Sequence, residues 1–394
     1  MQGASPNVVE ITTKGVTFAR VAWLASIVFL GVLPALTLVM LFVSTIQDDT
    51  VAMDFRQFYG AAEAILRGET PYGLAGEPLT SWGGPYPYPP LLGNVATPLT
   101  VLSPEAAGLL VMAALVVVAL AVPFVLGVRD WRCYGLILLW PPVISAIQTG
   151  NVTLWFALAS ALAWRFRDRA LPVSASIGFT LAAKFFLWPL VVWLAATRRL
   201  MSAALTCAVG AGLLFVSWAA IGFAGLRDYP DLLRRLEDTV GGDSYTAYIV
   251  ALDLGASSGV ARAIWLIAGL GIIAAVVVAG RRGDERSAFI LAIAAALALT
   301  PIVWLHYFAL LVVVVAVAQP RLGVVWFVPL ALVVTPGSGQ PTPFETSATL
   351  AIVALTFAVA LRASVVGVTP VASDPISLEP RQEPVSIGTA ARAV

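Results

Sequence analysis

Long apolar runs separated by short clusters of arginine are the feature that most constrains the fold of this chain. Residues 21–46, 106–128 and 260–280 contain a single charged side chain, Arg262, and each run can cross the roughly 30 Å hydrocarbon core of a bilayer as a helix. The runs are continuous in Ala, Leu and Val rather than alternating in polarity, which argues against a β-barrel. Charged residues make up only 11% of the chain, too few for an ordinary soluble domain. The sequence therefore predicts an all-α polytopic membrane protein.

The positions of the basic residues predict the topology, because short cytoplasmic loops carry an excess of Lys and Arg. The basic clusters lie at residues 14–20, 129–132, 165–169, 198–199, 281–286, 321 and 362. If every cluster is cytoplasmic, about twelve crossings of the cell membrane are expected, with both termini inside. Residues 1–362 then form one transmembrane domain with a long external loop at 47–103, and residues 363–394 form a disordered cytoplasmic tail. The near balance of 23 basic and 22 acidic residues gives no sign of a nucleic-acid partner.

Two of the predicted hairpins are too short to cross the bilayer twice at full depth. Residues 134–163 and 170–197 each provide about 30 residues, whereas two full crossings need roughly 40. Their outer tips carry Gln-Thr-Gly-Asn at residues 148–151 in one hairpin and Lys184 in the other. We therefore expect these polar tips to lie below the outer membrane surface, where they are tolerated only if they line a cavity or a wet site.

A third hairpin and a short apolar segment complete the outer side. Residues 288–318 carry His306, the only histidine in the chain, at the outer tip. Residues 89–102 are apolar but short and are broken by Pro98. A crossing there would upset the parity of the topology, so this segment is interpreted as a second juxtamembrane or half-inserted helix.

The polar stretch at residues 53–73 predicts a short amphipathic helix beside the first span. Apolar residues recur on one face at helical spacing, and polar residues, Arg56 among them, take the other face. A helix of so few turns lies in the interface rather than across the bilayer. Asp54 stands at the expected N-cap with Gln57 three residues later, as in a capping box, so one interpretation of Asp54 is a cap and nothing more.

The predicted topology gathers the unusual polar residues on one side of the membrane. A carboxylate, a cation and a histidine around a cavity at the lipid boundary suit chemistry on a lipid-linked phosphate. Simpler roles stay open for each residue: His306 as a helix-packing donor, Lys184 as the positive flank of a span, and Asn151 as part of a turn. Residues 86–90, Tyr-Pro-Tyr-Pro-Pro, are equally consistent with a stiff loop.

Several motifs, taken together, resemble a known family. In chain order they are Asp-Phe-Arg-Gln-Phe-Tyr at 54–59, Gly-Glu-Thr-Pro-Tyr at 68–72, Tyr-Pro-Pro-Leu-Leu at 88–92, Gln-Thr-Gly-Asn at 148–151, Lys-Phe-Phe-Leu-Trp-Pro at 184–189, and Trp-Leu-His-Tyr at 304–307. The chain resembles the membrane glycosyltransferases of the GT-C superfamily and, within it, glycosyltransferase family 87, the actinobacterial mannosyl- and arabinosyltransferases that use polyprenyl-phosphate sugars. The resemblance implies a GT-C fold, Asp54 as general base and a functional role for His306. No soluble carbohydrate-binding domain follows the last predicted span, which favours mannosyl transfer.

The resemblance also implies the partners and the roles of the remaining residues. A polyprenyl-phosphate sugar is the expected donor, a glycolipid or glycan is the expected acceptor, and the active site is expected to face the extracytoplasmic side of the lipid bilayer. Single displacement with inversion then needs Asp54 as base and fixed positive charge at the phosphate. The candidate donor- and phosphate-binding residues are Lys184, Asn151, Gln148, Arg56 and Tyr88. Asp48 and Asp49 have no further ligand cluster in the sequence, so neither a metal nor a cofactor is expected.

Other functions remain possible on the sequence alone. An arabinosyltransferase of the same family would share every motif. A multi-span transporter or lipid flippase should instead show symmetry between its halves and polar residues across the midplane. A structural component of an envelope complex would leave Asp54 as a cap only.

Overall fold

The computed structural model describes residues 20–72, 86–336 and 341–366, and within these ranges the chain is helical and forms no β-strand. In chain order the α-helices are α1 (Arg20–Gln47, with a π-helical turn at Val28–Val32), α2 (Met53–Leu66), α3 (Leu91–Ala96), α4 (Pro104–Val125), α5 (Trp131–Ile137), α6 (Pro141–Thr149), α7 (Thr153–Arg165), α8 (Ala170–Ala183), α9 (Pro189–Ala196), α10 (Leu200–Ala220), α11 (Tyr229–Val240), α12 (Ala247–Asp253), α13 (Ser258–Arg281), α14 (Glu285–Leu299), α15 (Leu311–Ala318) and α16 (Pro343–Val366). Short 3-10 segments lie at Thr97–Val101, Gly241–Asp243, Leu305–Leu310, Val324–Trp326 and Val328–Val334.

Several helices have the length and composition of membrane spans. Among the described residues, five qualify: α1, α4, α10, α13 and α16. α6 and α7 meet at an angle of 118°, which fits either a re-entrant hairpin or, if the pair is counted as one broken span, a sixth crossing. The fold is thus that of an all-helical polytopic membrane protein. The expected count of about twelve crossings is not confirmed, and the expected division into residues 1–362 and 363–394 stays a prediction.

The number of long helices is lower than expected because the predicted hairpins consist of short helices that stop at the polar tips. α8 ends at Ala183, and Lys184 has an extended backbone (φ −161°, ψ 123°) before α9 begins at Pro189. With 14 and 8 residues, α8 and α9 are both shorter than the roughly 20 residues of a full crossing. The third hairpin is divided in the same way, between α14 and the 3-10 segment that contains His306.

The C-terminal part differs from the prediction in two places. α16 continues through residues 363–366, which were expected to begin the disordered tail; residues 367–394 lie outside the described part of the chain. Residues 324–334, an apolar run after the Arg321 cluster that the topology counts as one of the last two crossings, form two 3-10 segments rather than an α-helix. Of the predicted external loop, residues 73–85 also lie outside the described ranges.

Several helices begin with the side chains and prolines that favour helix starts. The hydroxyl of Ser103 accepts a hydrogen bond from the first turn of α4, and the carboxylates of Asp130 and Asp284 do the same for α5 and α14. Proline occupies the first turn of α4, α6 and α9, where its missing N–H costs nothing. At the centre of the bundle, every residue of α15 is buried. Its Val and Ala side chains form the middle of the core.

Four charged residues join three interhelix loops at one end of the bundle. Glu285 at the start of α14 accepts from Arg167 at 3.1 Å and from Arg199 at 2.6 Å. Arg199 also binds Asp168 at 2.7 Å. These residues belong to the basic clusters that the sequence predicted to lie on one side of the membrane. The lengths of α7 and α8 separate this end from the polar tips at Asn151 and Lys184 by roughly 20 Å.

The two predicted juxtamembrane helices are both present. α2 forms at residues 53–66 and ends before Gly68, which has a positive φ of 74°. Its apolar face is buried as expected at Phe55, Phe58 and Tyr59, whereas Leu66 at its last residue is 62% exposed. The second is α3 with the 3-10 turn that follows it, and the two elements pack against each other. They cover the side of the bundle on which the polar tips lie.

Candidate active site

The carboxylate of Asp54 is free of the capping role that its position suggested. The N-cap of α2 is Ala52, in a left-handed conformation (φ 47°, ψ 53°), and no side chain caps the helix. Asp54 is the second residue of the helix, its Oδ2 accepts a hydrogen bond from Asn151 Nδ2 at 2.7 Å, and its side chain is 20% exposed. The capping box predicted from Asp54 and Gln57 is therefore wrong, because the chain enters the helix earlier than the spacing suggested.

Gly150 allows α2 to approach the break between α6 and α7. Its φ is +69°, and a Cβ atom there would lie 2.8 Å from the Cβ of Ala52 and 2.9 Å from that of Phe55. Gly108 of α4 makes a similar close approach, since its Cβ would lie 2.9 Å from Val51. The two glycines thus hold the turn at residues 51–52 from both sides. This close contact brings Asp54 within hydrogen-bond distance of Asn151.

The orientation of the Asn151 amide is fixed by Thr153. Oδ1 of Asn151 accepts from the backbone N–H of Thr153 at 2.9 Å and from its hydroxyl at 2.6 Å. Both side chains are buried. Because Oδ1 is occupied in this way, the Nδ2 group faces Asp54. Asn151 therefore has two roles. It stabilises the turn between α6 and α7, which was the simpler role left open by the sequence, and it donates a hydrogen bond to the Asp54 carboxylate. Thr153 was missed, although an Asn-x-Thr sequence at the start of a helix is a recognisable capping pattern.

His306 lies beside the same carboxylate oxygen. Its Nδ1 is 3.9 Å from Asp54 Oδ2, beyond hydrogen-bond distance. The residue is 4% exposed, and its ring stacks on Tyr307 with centroids 5.0 Å apart. The other nitrogen, Nε2, is buried and has no partner among the described residues. A buried, unpaired polar atom costs about 1–3 kcal/mol, which argues against a purely structural role in helix packing.

Lys184 is held by two tyrosines. Its Nζ donates a hydrogen bond to the hydroxyl of Tyr307. The same nitrogen lies 4.5 Å from the ring centroid of Tyr307 and 5.0 Å from that of Tyr88. The distance to Tyr88 suits a cation–π contact, whereas Tyr307 holds the ammonium through its hydroxyl. Together these contacts favour a charged side chain in a fixed place. Tyr307 was missed by the sequence analysis, although it is the last residue of the Trp-Leu-His-Tyr motif.

A cluster of aromatic residues fixes the loop that carries Tyr88. The backbone carbonyl of Tyr88 accepts from the hydroxyl of Tyr72 at 3.0 Å, and its ring packs edge-on against Phe58 with centroids 4.8 Å apart. The carbonyl of Pro87 accepts from Tyr229 at 2.9 Å. Burial, with a smaller effect of Tyr307 and Asp54, raises the pKa of the Tyr88 hydroxyl, so it stays neutral. The loop is stiff, and its stiffness positions Tyr88 over Lys184.

Two of the predicted site residues do not join this group in the structure. Gln148 lies in the last turn of α6, half-buried, and its amide makes no hydrogen bond with any described residue. Arg56 forms an ion pair with Asp49 at 2.9 Å and donates to the carbonyl of Val51 at 3.2 Å. The reason is geometric: Arg56 is two residues from Asp54, and residues two apart on a helix point in different directions. Arg56 instead stabilises the turn between α1 and α2.

The sequence predicted that Asp48 and Asp49, in the turn between α1 and α2, do not bind a metal. Asp49 is engaged by Arg56, and no group of three possible ligand side chains occurs in the described part of the chain. The independence from metals and cofactors stays a prediction.

An apolar cavity of about 310 Å³ adjoins the site. Its walls include Phe55, Phe58, Gly150, Trp155 and Phe179, so it shares Gly150 with the turn that holds Asp54. Trp155 is also partly exposed on the outside of the bundle. The cavity therefore offers a hydrocarbon-lined space next to the polar groups.

The site residues form a continuous series of contacts. The carboxylate of Asp54 lies next to His306, the ring of His306 stacks on Tyr307, and the hydroxyl of Tyr307 binds Lys184. A potential base and a fixed cation, both half-buried, thus stand at opposite ends of a group whose middle, His306 and Tyr307, is buried. This arrangement suits acid–base chemistry on an anionic substrate.

One of three comparisons with known proteins identifies a family. No curated protein and no solved structure matches the chain. The model of glycosyltransferase family 87 matches residues 86–303, more than half of the 394 residues. The matched segment includes Tyr88, Asn151 and Lys184. His306 lies shortly after its end, and Asp54 lies well before its start. By this match, the chain belongs to glycosyltransferase family 87.

Proposed function

We propose that this membrane glycosyltransferase moves a hexose, mannose as the first choice, from a polyprenyl-phosphate sugar to a hydroxyl of a glycolipid or polysaccharide. The observation that carries the proposal is the series of contacts from Asp54 through His306 and Tyr307 to Lys184. Transfer from a phosphate-linked sugar needs a base for the acceptor and positive charge for the leaving phosphate, and this group provides both.

Asp54 is the general base of the proposed reaction. The acceptor hydroxyl loses its proton to the Asp54 carboxylate as its oxygen attacks C1 of the sugar. The bond between C1 and the phosphate oxygen breaks, and its electron pair leaves with the polyprenyl phosphate. Attack and departure on opposite faces of C1 invert the configuration. Asn151 holds Oδ2 of the base through its 2.7 Å hydrogen bond, which leaves Oδ1 for the proton.

Lys184 binds the leaving phosphate. Charge accumulates on the phosphate oxygens as the bond to C1 breaks, and a preorganised cation stabilises that charge. The contacts of Lys184 with Tyr88 and Tyr307 support such preorganisation. His306 lies between the base and the cation, and its unpaired Nε2 is the second candidate for a contact with the donor.

The apolar cavity supports a lipid-linked donor rather than a nucleotide sugar. A polyprenyl chain is a hydrocarbon, and exposing such a chain to water costs about 0.8 kcal/mol per methylene. The cavity beside Gly150 is lined by aromatic and aliphatic side chains and reaches the edge of the bundle at Trp155. The lipid can therefore remain in apolar surroundings while the phosphate approaches Lys184.

The depth of the site supports its assignment to the extracytoplasmic side. The basic end with Arg167 and Arg199 is taken as cytoplasmic by the positive-inside rule. The polar tips lie roughly 20 Å from it along α7 and α8, inside a hydrocarbon core of roughly 30 Å. The site is then recessed from the outer surface and open to it, with both termini inside.

The function is tested by sugar transfer with the purified protein in nanodiscs. Polyprenyl-phosphate mannose and polyprenyl-phosphate arabinose are supplied separately, with a lipid extract from an actinobacterium as acceptor. Transfer from the mannose donor, with a product of inverted configuration, is expected. Transfer from the arabinose donor alone would assign the protein to arabinosyl transfer. Transfer that stops with a chelator and returns with one divalent ion would overturn the metal-independent mechanism.

The role of Asp54 is tested with Asp54→Asn. Asparagine keeps an oxygen that can accept from Asn151, so the fold should be retained, but it is a poor base. The transfer rate should fall by roughly 10²–10⁴-fold without a change in thermal stability. Asp253→Asn, at an exposed position in α12, is the matched control and should keep the wild-type rate. Unchanged transfer by a folded Asp54→Asn protein would reject Asp54 as the base.

A further inference from the structure

Tyr307 has a hydroxyl proton without a partner in the described part of the chain. An ammonium group has three donors and no acceptor, so in the hydrogen bond with Lys184 Nζ the Tyr307 oxygen is the acceptor. The hydroxyl proton must then point elsewhere. None of the described residues accepts it. The proton is therefore available to an acceptor that lies beside Lys184.

The hydroxyl is held in place by its ring. Tyr307 is buried and is stacked on His306 on one side, with an interplanar angle of 27°. Phe186 packs edge-on against it, with centroids 5.4 Å apart. Lys184 is fixed in turn between the hydroxyl of Tyr307 and the ring of Tyr88. Neither donor has to be ordered when a ligand binds, which reduces the entropic cost of binding.

We propose that Tyr307 and Lys184 together bind the phosphate of the lipid-linked donor, and that Tyr307 donates its hydroxyl proton to a phosphate oxygen. The inference rests on the proposed function and adds a substrate-binding residue to it. Lys184 alone is a point charge on a flexible stem. One of its protons is used by Tyr307, so the two that remain and the Tyr307 hydroxyl present three donors to one ligand. A phosphate, with several acceptor oxygens and a negative charge, fits this set.

The Tyr307 hydroxyl can also donate to the product, polyprenyl phosphate. Polyprenyl phosphate carries more charge on its oxygens than the donor, because the bond to the sugar has broken. A neutral hydroxyl that is already polarised by an ammonium donates a stronger hydrogen bond to such an oxygen. Tyr307 is therefore expected to contribute to binding of the leaving group as well as of the donor.

The test compares Tyr307→Phe with the wild-type protein in nanodiscs. Phenylalanine keeps the stacking on His306, and the change removes the hydroxyl together with the hydrogen bond that it accepts from Lys184. The probes are undecaprenyl phosphate, the uncharged alcohol undecaprenol, and inorganic phosphate. We expect Tyr307→Phe to weaken binding of undecaprenyl phosphate about tenfold, as loss of one hydrogen bond to a charged group does, and to leave undecaprenol binding unchanged. Weaker binding of inorganic phosphate as well would show that the free anion alone reaches the pair.

Tyr134→Phe is the matched control. Its hydroxyl donates to the carbonyl of Val128 at 2.8 Å, near the basic cluster at residues 129–132 and away from the site. This variant should bind all three probes as the wild type does. Equal binding of undecaprenyl phosphate by wild type and Tyr307→Phe would overturn the inference. So would a loss that affects undecaprenol to the same extent, because it would indicate a packing defect.

A double variant tests whether the two residues bind one ligand. With Lys184→Met, the additional Tyr307→Phe change should have less effect on undecaprenyl phosphate binding than it has alone, because both groups act on one phosphate. Full additivity would contradict a shared ligand.

A comparison of binding with sugar transfer separates the inference from the proposed function. Phosphate-selective binding by a protein that transfers sugar from neither donor would reject the proposed function and leave the phosphate site at Tyr307 and Lys184 standing.

Discussion

At the scale of single residues, two small residues allow the Asp54 carboxylate to reach Asn151. Ala52 is completely buried in a left-handed turn, and Gly150 meets it with φ +69°. A larger side chain at either position would separate α2 from the break between α6 and α7. The hydrogen bond between Asp54 and Asn151 depends on that contact.

Gly150→Ala is predicted to impair both stability and activity. The added Cβ requires a left-handed alanine, which costs roughly 1–2 kcal/mol, and it lies 2.8 Å from Ala52, a clash that adds roughly 1–3 kcal/mol. Thermal unfolding should show the sum of both costs, and sugar transfer should fall at least tenfold.

Gly255→Ala separates the two costs of the previous change. Gly255 also has a positive φ of 88°, but a Cβ there meets nothing within 4 Å. This control should lose only the conformational part of the stability and keep its transfer rate. Equal loss of activity in both variants would contradict the role of the close contact.

At the scale of elements, interrupted helices bring polar groups into an apolar bundle. α6 and α7 meet at 118°, and α8 stops at Ala183, so backbone and side-chain polar groups are available at both breaks. Such breaks are tolerated at membrane depth where they line a protein cavity. The opposite ends of α7 and α8 meet at the loop of Arg167, which is joined to Arg199 through Glu285. The breaks can hold the site in a fixed geometry because these other ends are tied together.

Glu285→Gln is predicted to loosen the bundle at the basic end. The Glu285 carboxylate binds two arginines and is about one-third exposed, so its loss should cost about 1–2 kcal/mol of stability, between the values for surface and buried pairs. Thermal unfolding of the purified variant measures this. Asp231→Asn is the control: Asp231 pairs with Arg234, but both side chains are largely exposed, and little change is expected. A Glu285→Gln protein as stable as the control would show that the charge network contributes nothing.

At the scale of the whole molecule, the bundle has two chemically different ends. One end carries the ion pairs among Arg167, Arg199, Asp168 and Glu285. The other carries the carboxylate, imidazole and ammonium of the candidate site, with an apolar cavity beside them. An enzyme that accepts a lipid-linked substrate needs this combination of polar site and apolar approach, because the two parts of the substrate have opposite solvation requirements.

Ala96→Phe is predicted to compete with the lipid part of the donor. Ala96 is buried in the wall of the cavity of about 310 Å³, and a phenylalanine ring would fill space that a polyprenyl chain needs. The KM for a long-chain donor should rise about tenfold, equivalent to about 1.4 kcal/mol, while a short-chain donor should be less affected.

Ala256→Phe is the matched control for this prediction. Ala256 lines a second apolar cavity, of about 340 Å³, between α12, α13 and α16, away from the site residues. Its KM values for both donors should remain those of the wild type. If both variants raise the KM equally, the cavity beside Gly150 is not the lipid-binding space.

The sequence by itself determined the class of fold and named most residues of the candidate site. Apolar runs and arginine clusters indicated a polytopic helical protein because the bilayer imposes length and charge rules that are local in sequence. The spacing of apolar residues predicted α2, and the short hairpins predicted polar breaks at Asn151, Lys184 and His306. These features depend on neighbouring residues along the chain, so no knowledge of packing was needed.

Only the tertiary structure decided what each polar group binds. Asp54 has the sequence environment of an N-cap, yet close contact with Gly150 turns it toward Asn151. Arg56 pairs with Asp49 rather than joining the site, and Tyr307 reaches Lys184 across 123 residues of sequence. Hydrogen bonds and stacking depend on distances of a few ångströms between helices remote in sequence. Hydrophobic periodicity carries no information at that precision, because it reports which face of a helix is buried and not which side chain it meets.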